Sequence, residues 1–454
     1  MRLIRILLLT ILLFFIGCAS SFDVPNQKIL DEMEQSLKHE LLDAWYPILV
    51  DTVFGGFLSD FTYDWQAKGS QNKFLVSQAR HVWTTSEAAI FLNDTRYRKI
   101  AKQGFYFLKD KMWDKTYGGF FLLRNRQGDT IQSGYGDDKS AYGNAFAIYA
   151  LAAFYQMSGD TSALNLAQET FFWLEKHSHD PEYKGYFDRM KRDGSWYDNS
   201  EIKLKPQQLT GACWKDQNSS IHLLEAVTEL YRVWPDSLLR ERLREMLSLI
   251  RDTVATEKGY LTLFLTRDWT PISFRDSSAV VRQANAYYDH VSFGHDVETA
   301  YLMLEASHAL GIKSNEKTLT IAKKMVDHAL ANGWDKENSG FYERGYYFHQ
   351  SDPISIISNK KIWWVQDEGL NSLLLMAKLF PNEKKYKDAF KKQWEYMKKY
   401  LIDHEHGGWY VEGLDKSPDK RQAPKAFDWK ANYHDARALM NCIKMLKSEH
   451  ELLK

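Results

Sequence analysis

Apolar residues along this chain follow two alternating patterns. Segments such as ALNLAQETFFWLEKH (163–177) and KTLTIAKKMVDHALANG (317–333) repeat apolar positions three and four apart, with charges on the opposite side. That spacing predicts helices with one face in solvent. Other segments are apolar nearly all round: ARHVWTTSEAAIFL (79–92), AYGNAFAIYALAAFYQM (141–157), SSIHLLEAVTELYRVW (219–234), ETAYLMLEASHAL (298–310), EGLNSLLLMAKLF (368–380) and HDARALMNCIKML (434–446). A helix without a polar face belongs in an interior.

A recurring loop separates the two kinds. DTVFGGF from Asp51, DKTYGGF from Asp114, DPEYKGY from Asp180, DKENSGF from Asp335 and DHEHGGW from Asp403 each place Gly and then an aromatic five and six residues after Asp. A sixth copy, VATEKGY, has Val254 in the Asp position. Asp opens the turn and Gly supplies positive φ. A loop that returns at this regular interval marks a repeated supersecondary unit. Six solvent-facing and six buried helices in alternation predict an all-α (α/α)6 barrel, six inner and six outer helices in one domain. The 454 residues, which by length alone suggest two or three domains, then need no division.

Each buried segment carries polar residues at or near its start: Arg80 and His81 beside Trp83; Tyr142 and Asn144; Asn218 and His222, with Glu225 one turn on; His295 and Glu298; Trp363, Trp364, Gln366 and Glu368; Trp429, Tyr433 and His434. Inner helices of such a barrel run parallel, so these sets are expected to converge on one cavity, where positive helix ends favour oxyanions. Any one of them alone reads as a cap or a packed polar residue. Three histidines, an arginine and several carboxylates buried together are costly unless paired or functional.

Composition narrows the chemistry. Lys plus Arg equals Asp plus Glu, 59 each, which gives no electrostatic case for a nucleic-acid partner. Aromatics make up 14% of residues, with 15 Trp, and aromatic faces suit the C–H faces of sugars. His222, His295 and His434 suit proton transfer beside a carbonyl, with Arg80 on the oxyanion. Glu298, Glu368 and Asp296 keep glycoside hydrolysis open, and three histidines from three helices keep zinc open. His177 with His179 and His404 with His406 fall in the repeated loops and read as surface residues rather than metal ligands.

Taken together, the motifs resemble the N-acylglucosamine 2-epimerase superfamily, in particular its cellobiose and mannobiose 2-epimerase branch. QARHVWT at Gln78 resembles the family's arginine-bearing segment. AYGNAFAIYAL at Ala141 resembles Y-G-Q-A-F, with Asn144 for Gln. NSSIHLLEA at Asn218, SFGHDVETA at Ser292, WWVQDE at Trp363 and WKANYH at Trp429 resemble the remaining four. The resemblance implies a cofactor-independent 2-epimerase acting on a small carbohydrate, expected as a monomer and without a metal. By motif, His295 and His434 are the acid/base pair, with His222 as the third histidine. Arg80, Tyr142, Asn218, Glu298, Trp364, Glu368 and Trp429 bind substrate or orient histidines. WKANYH lacks the Cys-Pro often found before Tyr-His, and Arg192–Trp214 departs from the branch's loop. Both departures bear on the substrate rather than on the chemistry.

The N-terminus reads separately. Arg2 and Arg5 precede an apolar run from Ile6 to Ile16, of signal-peptide size. Phe15-Ile-Gly-Cys18 resembles a bacterial lipobox, which implies a signal at 1–17, lipid on Cys18, a short linker at 18–26, and the barrel at 27–450. Export with a lipid anchor, the sole membrane contact, is the expectation; an uncleaved anchor is the alternative, and a cytoplasmic location follows if the segment is no signal. Cys213 and Cys442 make no disulfide framework.

Overall fold

The computed structural model describes residues 26–131, 137–197, 215–312, 315–349 and 353–448. Cys18, Cys213 and most of the Arg192–Trp214 loop lie outside them. Six inner helices, α2 (Leu75–Phe91), α4 (Ala141–Ser158), α6 (Gln217–Val233), α9 (Phe293–Ala309), α11 (Trp363–Leu379) and α13 (Tyr433–Lys447), pack in sequence order. The ring closes where α13 meets α2. Every residue of α2 from Leu75 to Ala89 is buried, as the all-round apolar pattern requires. Outside lie α1 (Asn26–Gln35, continuing to Trp45), α3 (Thr95–Phe107, continuing through Leu108–Met112), α5 (Thr161–His177), α7 (Ser237–Leu249, continuing through Ile250–Val254), α10 (Glu316–Asn332) and α12 (Lys384–Tyr400). On α5 the buried residues Ala163, Leu166, Ala167, Thr170, Phe171 and Leu174 form the expected stripe. Short turns reverse the chain between inner and outer helices. Several end in an aspartate cap: Asp94, Asp160 and Asp236 each accept an N–H of the helix that follows.

A thirteenth helix, α8 (Ala279–Asp289), corrects the expected twelve. It is an insertion in the fourth repeat, and the interval from Gly259 to Gly340, the longest between the repeat glycines, is its trace in the sequence.

The repeated loops sit at the end of the barrel where inner helices begin. Four of them are followed by a short strand, which pairs antiparallel with the strand leading into the preceding inner helix. Thus β1 (Lys73–Phe74) pairs with β2 (Leu123–Arg124), β3 (Lys139–Ser140) with β4 (Arg189–Met190), and β5 (Lys215–Asp216) with β6 (Phe264–Leu265). In the fourth unit β7 (Val291–Ser292) pairs with β8 (Arg344–Tyr346), which also holds β9 (Ser355–Ser358). The glycines have a steric role besides their positive φ. A Cβ on Gly119, at φ 70°, would lie 2.8 Å from the Trp173 ring.

The loop aspartates do more than open turns. Each accepts backbone N–H groups two and three residues on and pairs with a buried lysine placed before an inner helix. The distances are Asp51–Lys73 3.0 Å, Asp114–Lys139 3.1 Å, Asp180–Lys215 3.1 Å, Asp335–Lys361 2.8 Å and Asp403–Lys425 2.6 Å. In the first three an arginine of the next loop, Arg126, Arg192 or Arg267, adds a second cation. The fourth repeat lost both partners together: Val254 replaces the aspartate and Val291 stands where a lysine would be.

Breaking one such buried pair leaves its partner charged and uncompensated. Asp114→Asn is therefore expected to cost about 3–5 kcal/mol in denaturant unfolding. Burial opposes the charge on Asp114, but Arg192, the Thr116 N–H and Lys139 hold its carboxyl down at about 2. A depressed carboxyl contributes stability above its unfolded value of about 3.8 and loses it as pH falls through its folded one. Wild-type stability should accordingly drop between about pH 4 and 2, and the variant should lose less over that interval. Equal losses would show that the pair is not held this way.

Candidate active site

The inner-helix starts enclose one cavity of about 160 Å³, lined by Arg80, Tyr142, Asn218, His222, His295, Glu298, Trp363, Trp364, Trp429 and His434. Nine of the ten residues named from sequence as site members line it. The tenth, Glu368, stands behind His434 and is fully buried. Trp429 lies in the loop before α13 and is 51% exposed, a flat apolar platform at the mouth.

The expected convergence of all the polar helix starts is only half right. On four of the inner helices a polar residue of the first turn faces the other way and holds the repeated loop. Gln78 accepts the Phe57 N–H, Asn144 the Phe120 N–H and Gln366 the Phe341 N–H, each at 2.8 Å, and Asp296 accepts the Leu261 N–H at 2.9 Å. His81 bonds the Tyr46 hydroxyl at 2.8 Å, away from the cavity. Asn144 thus does the work that glutamine does in two sister repeats, and Asp296 is not a site carboxylate. The outer-loop histidines bridge the loops to outer helices: His179 contacts Glu245 at 2.8 Å and His404 contacts Glu40 at 2.6 Å.

Each cavity histidine has a fixed partner at Nδ1: His434 contacts Glu368 Oε1 at 2.6 Å, His222 contacts Glu225 Oε2 at 2.9 Å, and His295 contacts the Ser292 hydroxyl at 2.8 Å. Glu225 is held ionised and can only accept, so His222 donates to it through Nδ1. Trp364 packs against both His295 and His434, with ring centroids 4.7 and 5.8 Å away. Burial lowers His295 to about 3, helped by the nearby His222, His290 and Arg344. Burial also sets His434 well below the ordinary range, with Arg80 and Arg437 adding to it. Both rings are neutral near pH 7 and able to take a proton. Arg80 donates to the Tyr142 hydroxyl and to the Trp429 carbonyl, both at 3.1 Å, and stacks 4.5 Å over Phe146. Burial, with Glu298 and Glu225 nearby, raises the Tyr142 hydroxyl to about 12.

Beneath the histidines lies a residue that sequence reasoning missed. Arg437 donates through Nη2 to Glu298 Oε1 at 2.5 Å and Glu368 Oε1 at 2.7 Å, and through Nη1 to Glu225 and the Tyr433 hydroxyl. Burial opposes the charge on Glu225, yet Arg437 and His222 hold it at about 2. Burial raises Glu298 to about 7, with Glu368 adding to it, and raises Glu368 to about 7 against the pull of Arg437. The signal was an arginine three residues after His434 on an inward helix that faces three glutamates.

This arrangement decides among the chemistries left open. Glu298, Glu368 and His434 place possible ligand atoms within 4.8 Å of one another, but the position a metal ion would take among them is filled by the Arg437 guanidinium. Glu298 and Glu368 share one Arg437 nitrogen, so they sit on the same side of the site rather than flanking a glycosidic bond as hydrolysis requires. Neutral histidines with bare ring nitrogens, an arginine and aromatic walls fit proton transfer on a sugar.

Comparison with known proteins agrees with this reading. The profile of N-acylglucosamine 2-epimerase (GlcNAc 2-epimerase) matches residues 55–438. Cellobiose 2-epimerase of Bacteroides fragilis is 27% identical over 422 residues, covering 93% of this chain and 99% of its own. D-mannose isomerase of Marinomonas mediterranea is 24% identical over 412 residues, covering 88% and 94%. The crystal structure of a sugar epimerase from a ruminal bacterium superposes with a TM-score of 0.78 at 27% identity, covering 92% of this chain and 99% of that one. With the profile spanning most of the barrel and the inner-helix histidines gathered on one cavity, the chain belongs to the N-acylglucosamine 2-epimerase family.

Proposed function

We propose that this protein is a cofactor-independent carbohydrate 2-epimerase that interconverts reducing-end glucose and mannose units of β-1,4-linked disaccharides of the cellobiose and mannobiose type. The observation that carries this is the pair of neutral histidines, His295 and His434, held on two helices against one tryptophan at the wall of a single cavity. In the reaction His222, backed by Glu225, assists ring opening. One of the pair takes the C2 proton, the electrons pass into a cis-enediolate whose oxygen faces Arg80, and the other returns a proton to C2 on the opposite face. Trp364 holds the reacting sugar, and the exposed Trp429 offers a face to the second ring. Tyr142, Asn218 and Glu298 take hydroxyls, while Glu368 orients His434. The lipobox-like segment supports export and lipid attachment at Cys18, which would place the enzyme on oligosaccharides outside the cytoplasm.

Incubation with cellobiose, mannobiose or mannose in D2O, followed by NMR, tests the reading. Deuterium at C2 of an epimerised disaccharide is expected. Formation of a ketose from mannose would favour the aldose–ketose isomerase reading that the Marinomonas relative's name suggests. Cleavage without exchange at C2 would overturn both.

A further inference from the structure

Charge is balanced over the whole chain, 59 against 59, but not around the barrel. Helix α12, KKYKDAFKKQWEYMKKY, carries seven lysines against Asp388 and Glu395. Helix α3 with its continuation, TRYRKIAKQGFYF and LKDKM, carries two arginines and four lysines against Asp110. These two are neighbours of the same outer helix, α1: Glu32 of α1 accepts from Trp394 and Lys398 of α12 at 2.9 and 2.7 Å, and Asp43 at its other end faces Arg96 of α3 at 3.5 Å. By contrast α5, on the far side of α3, has one lysine against two glutamates. Helix α1 between them is itself acidic, with Asp31, Glu32, Glu34, Glu40 and Asp43 against Lys28 and Lys38, and some basic groups of its neighbours are spent on those acids. Lys99 and Lys102 of α3 and Lys384, Lys391 and Lys392 of α12 form no ion pair among the described residues, and four of these five are exposed. Lys99, Lys102 and Lys384 lie in the first halves of their helices, and Lys391 and Lys392 at the middle of α12.

Direction matters here. Outer helices run from the far end of the barrel towards the cavity end, so the first halves of α1, α3 and α12 lie away from the cavity. Asn26, where α1 begins, is eight residues after Cys18. Extended chain spans at most about 3.3–3.6 Å per residue, so this tether reaches about 25–30 Å. A lipid on Cys18 would hold that end of the basic sector within reach of the bilayer, and polybasic surfaces are attracted to anionic headgroups within a Debye length.

We propose that the basic sector formed by α3 and α12 on either side of α1 docks on an anionic phospholipid surface and holds the barrel with its cavity opening away from the membrane. The tether part rests on the lipid-anchor reading of Cys18; the charge sector stands on the structure alone.

The test uses the mature protein as purified from its host, with its intact mass read for the Cys18 lipid, reconstituted in neutral phosphatidylcholine vesicles or in vesicles containing phosphatidylglycerol. Lysine labelling by an amine reagent is read by mass spectrometry. Labelling of Lys99, Lys102, Lys384, Lys391 and Lys392 should fall at least three-fold on the anionic vesicles and recover in high salt. Lys115 and Lys336, on the cavity-end loops, should stay unchanged. In the variant Lys99→Glu/Lys102→Glu/Lys384→Glu/Lys391→Glu, protection of Lys392 should vanish while turnover of a soluble disaccharide is retained. Equal labelling on both vesicles, or protection of Lys115 and Lys336 instead, overturns the proposal. If the mass shows no lipid, the anchor reading fails by itself, and flotation with the anionic vesicles at low salt decides the sector: no flotation sinks it.

Discussion

His434→Ala and His295→Ala should each abolish epimerisation at C2, lowering turnover by at least the 10²–10⁴-fold that a positioned general acid or base contributes. The two variants act by different routes to the same loss. Without His434 the cavity loses a ring whose Nδ1 is fixed by Glu368, so no positioned base remains on that wall. Without His295 it loses the ring held by the Ser292 hydroxyl. Epimerisation needs a proton taken from one face and returned on the other, so neither histidine can substitute for its partner. KM should change far less than kcat, because Arg80 and Trp364 still hold the sugar. Epimerisation within tenfold of wild type in either variant would remove that residue from the pair.

Arg437→Met should be nearly as damaging without touching the sugar. Among the described residues the Arg437 guanidinium is the one arginine or lysine group paired with Glu225, Glu298 and Glu368, and its loss strands buried carboxylates at a cost of about 3–5 kcal/mol. Removing a cation also raises carboxyl pKa values. Glu225, now at about 2, and Glu368, now at about 7, would keep their protons to higher pH. A protonated carboxyl no longer fixes the neighbouring histidine, so activity should fall on the order of 10²-fold, the scale of a catalytic group misplaced by about 1 Å. What activity survives should shift to higher pH, and Arg437→Lys should restore part of the profile. A variant that folds, by circular dichroism, with a pH profile like the wild type would show that Arg437 acts structurally only.

Much of this was legible in the sequence because the barrel repeats itself. The two helix patterns and the Asp-to-aromatic loop are periodic, so six weak signals added up. Candidate site residues were legible for the same reason: polar residues recur near the start of each inward helix, with a histidine or arginine on four of the six. Three things were not legible. Helix period alone does not say which residues of a first turn face inward, so Asn144, Gln366, Asp296 and His81 were grouped with cavity residues. Arg437 was hidden because its partners are on three other helices, brought close only by ring closure. The loop aspartates' lysine partners sit 22 to 35 residues away, and without the strand pairing nothing in the sequence links Asp114 to Lys139.

The absence of the Asp–Lys lock in the fourth repeat bears on how this scaffold diversifies. Five loops are riveted to the ring by buried ion pairs, so lengthening them risks leaving a charge unpaired in the interior. The loop at Val254 has no such rivet, and α8 is already an addition made there, running directly into the strand that introduces His295. The segment between Leu265 and His290 is therefore the part of this rim most free to change in length while the histidines and their counterions stay in place.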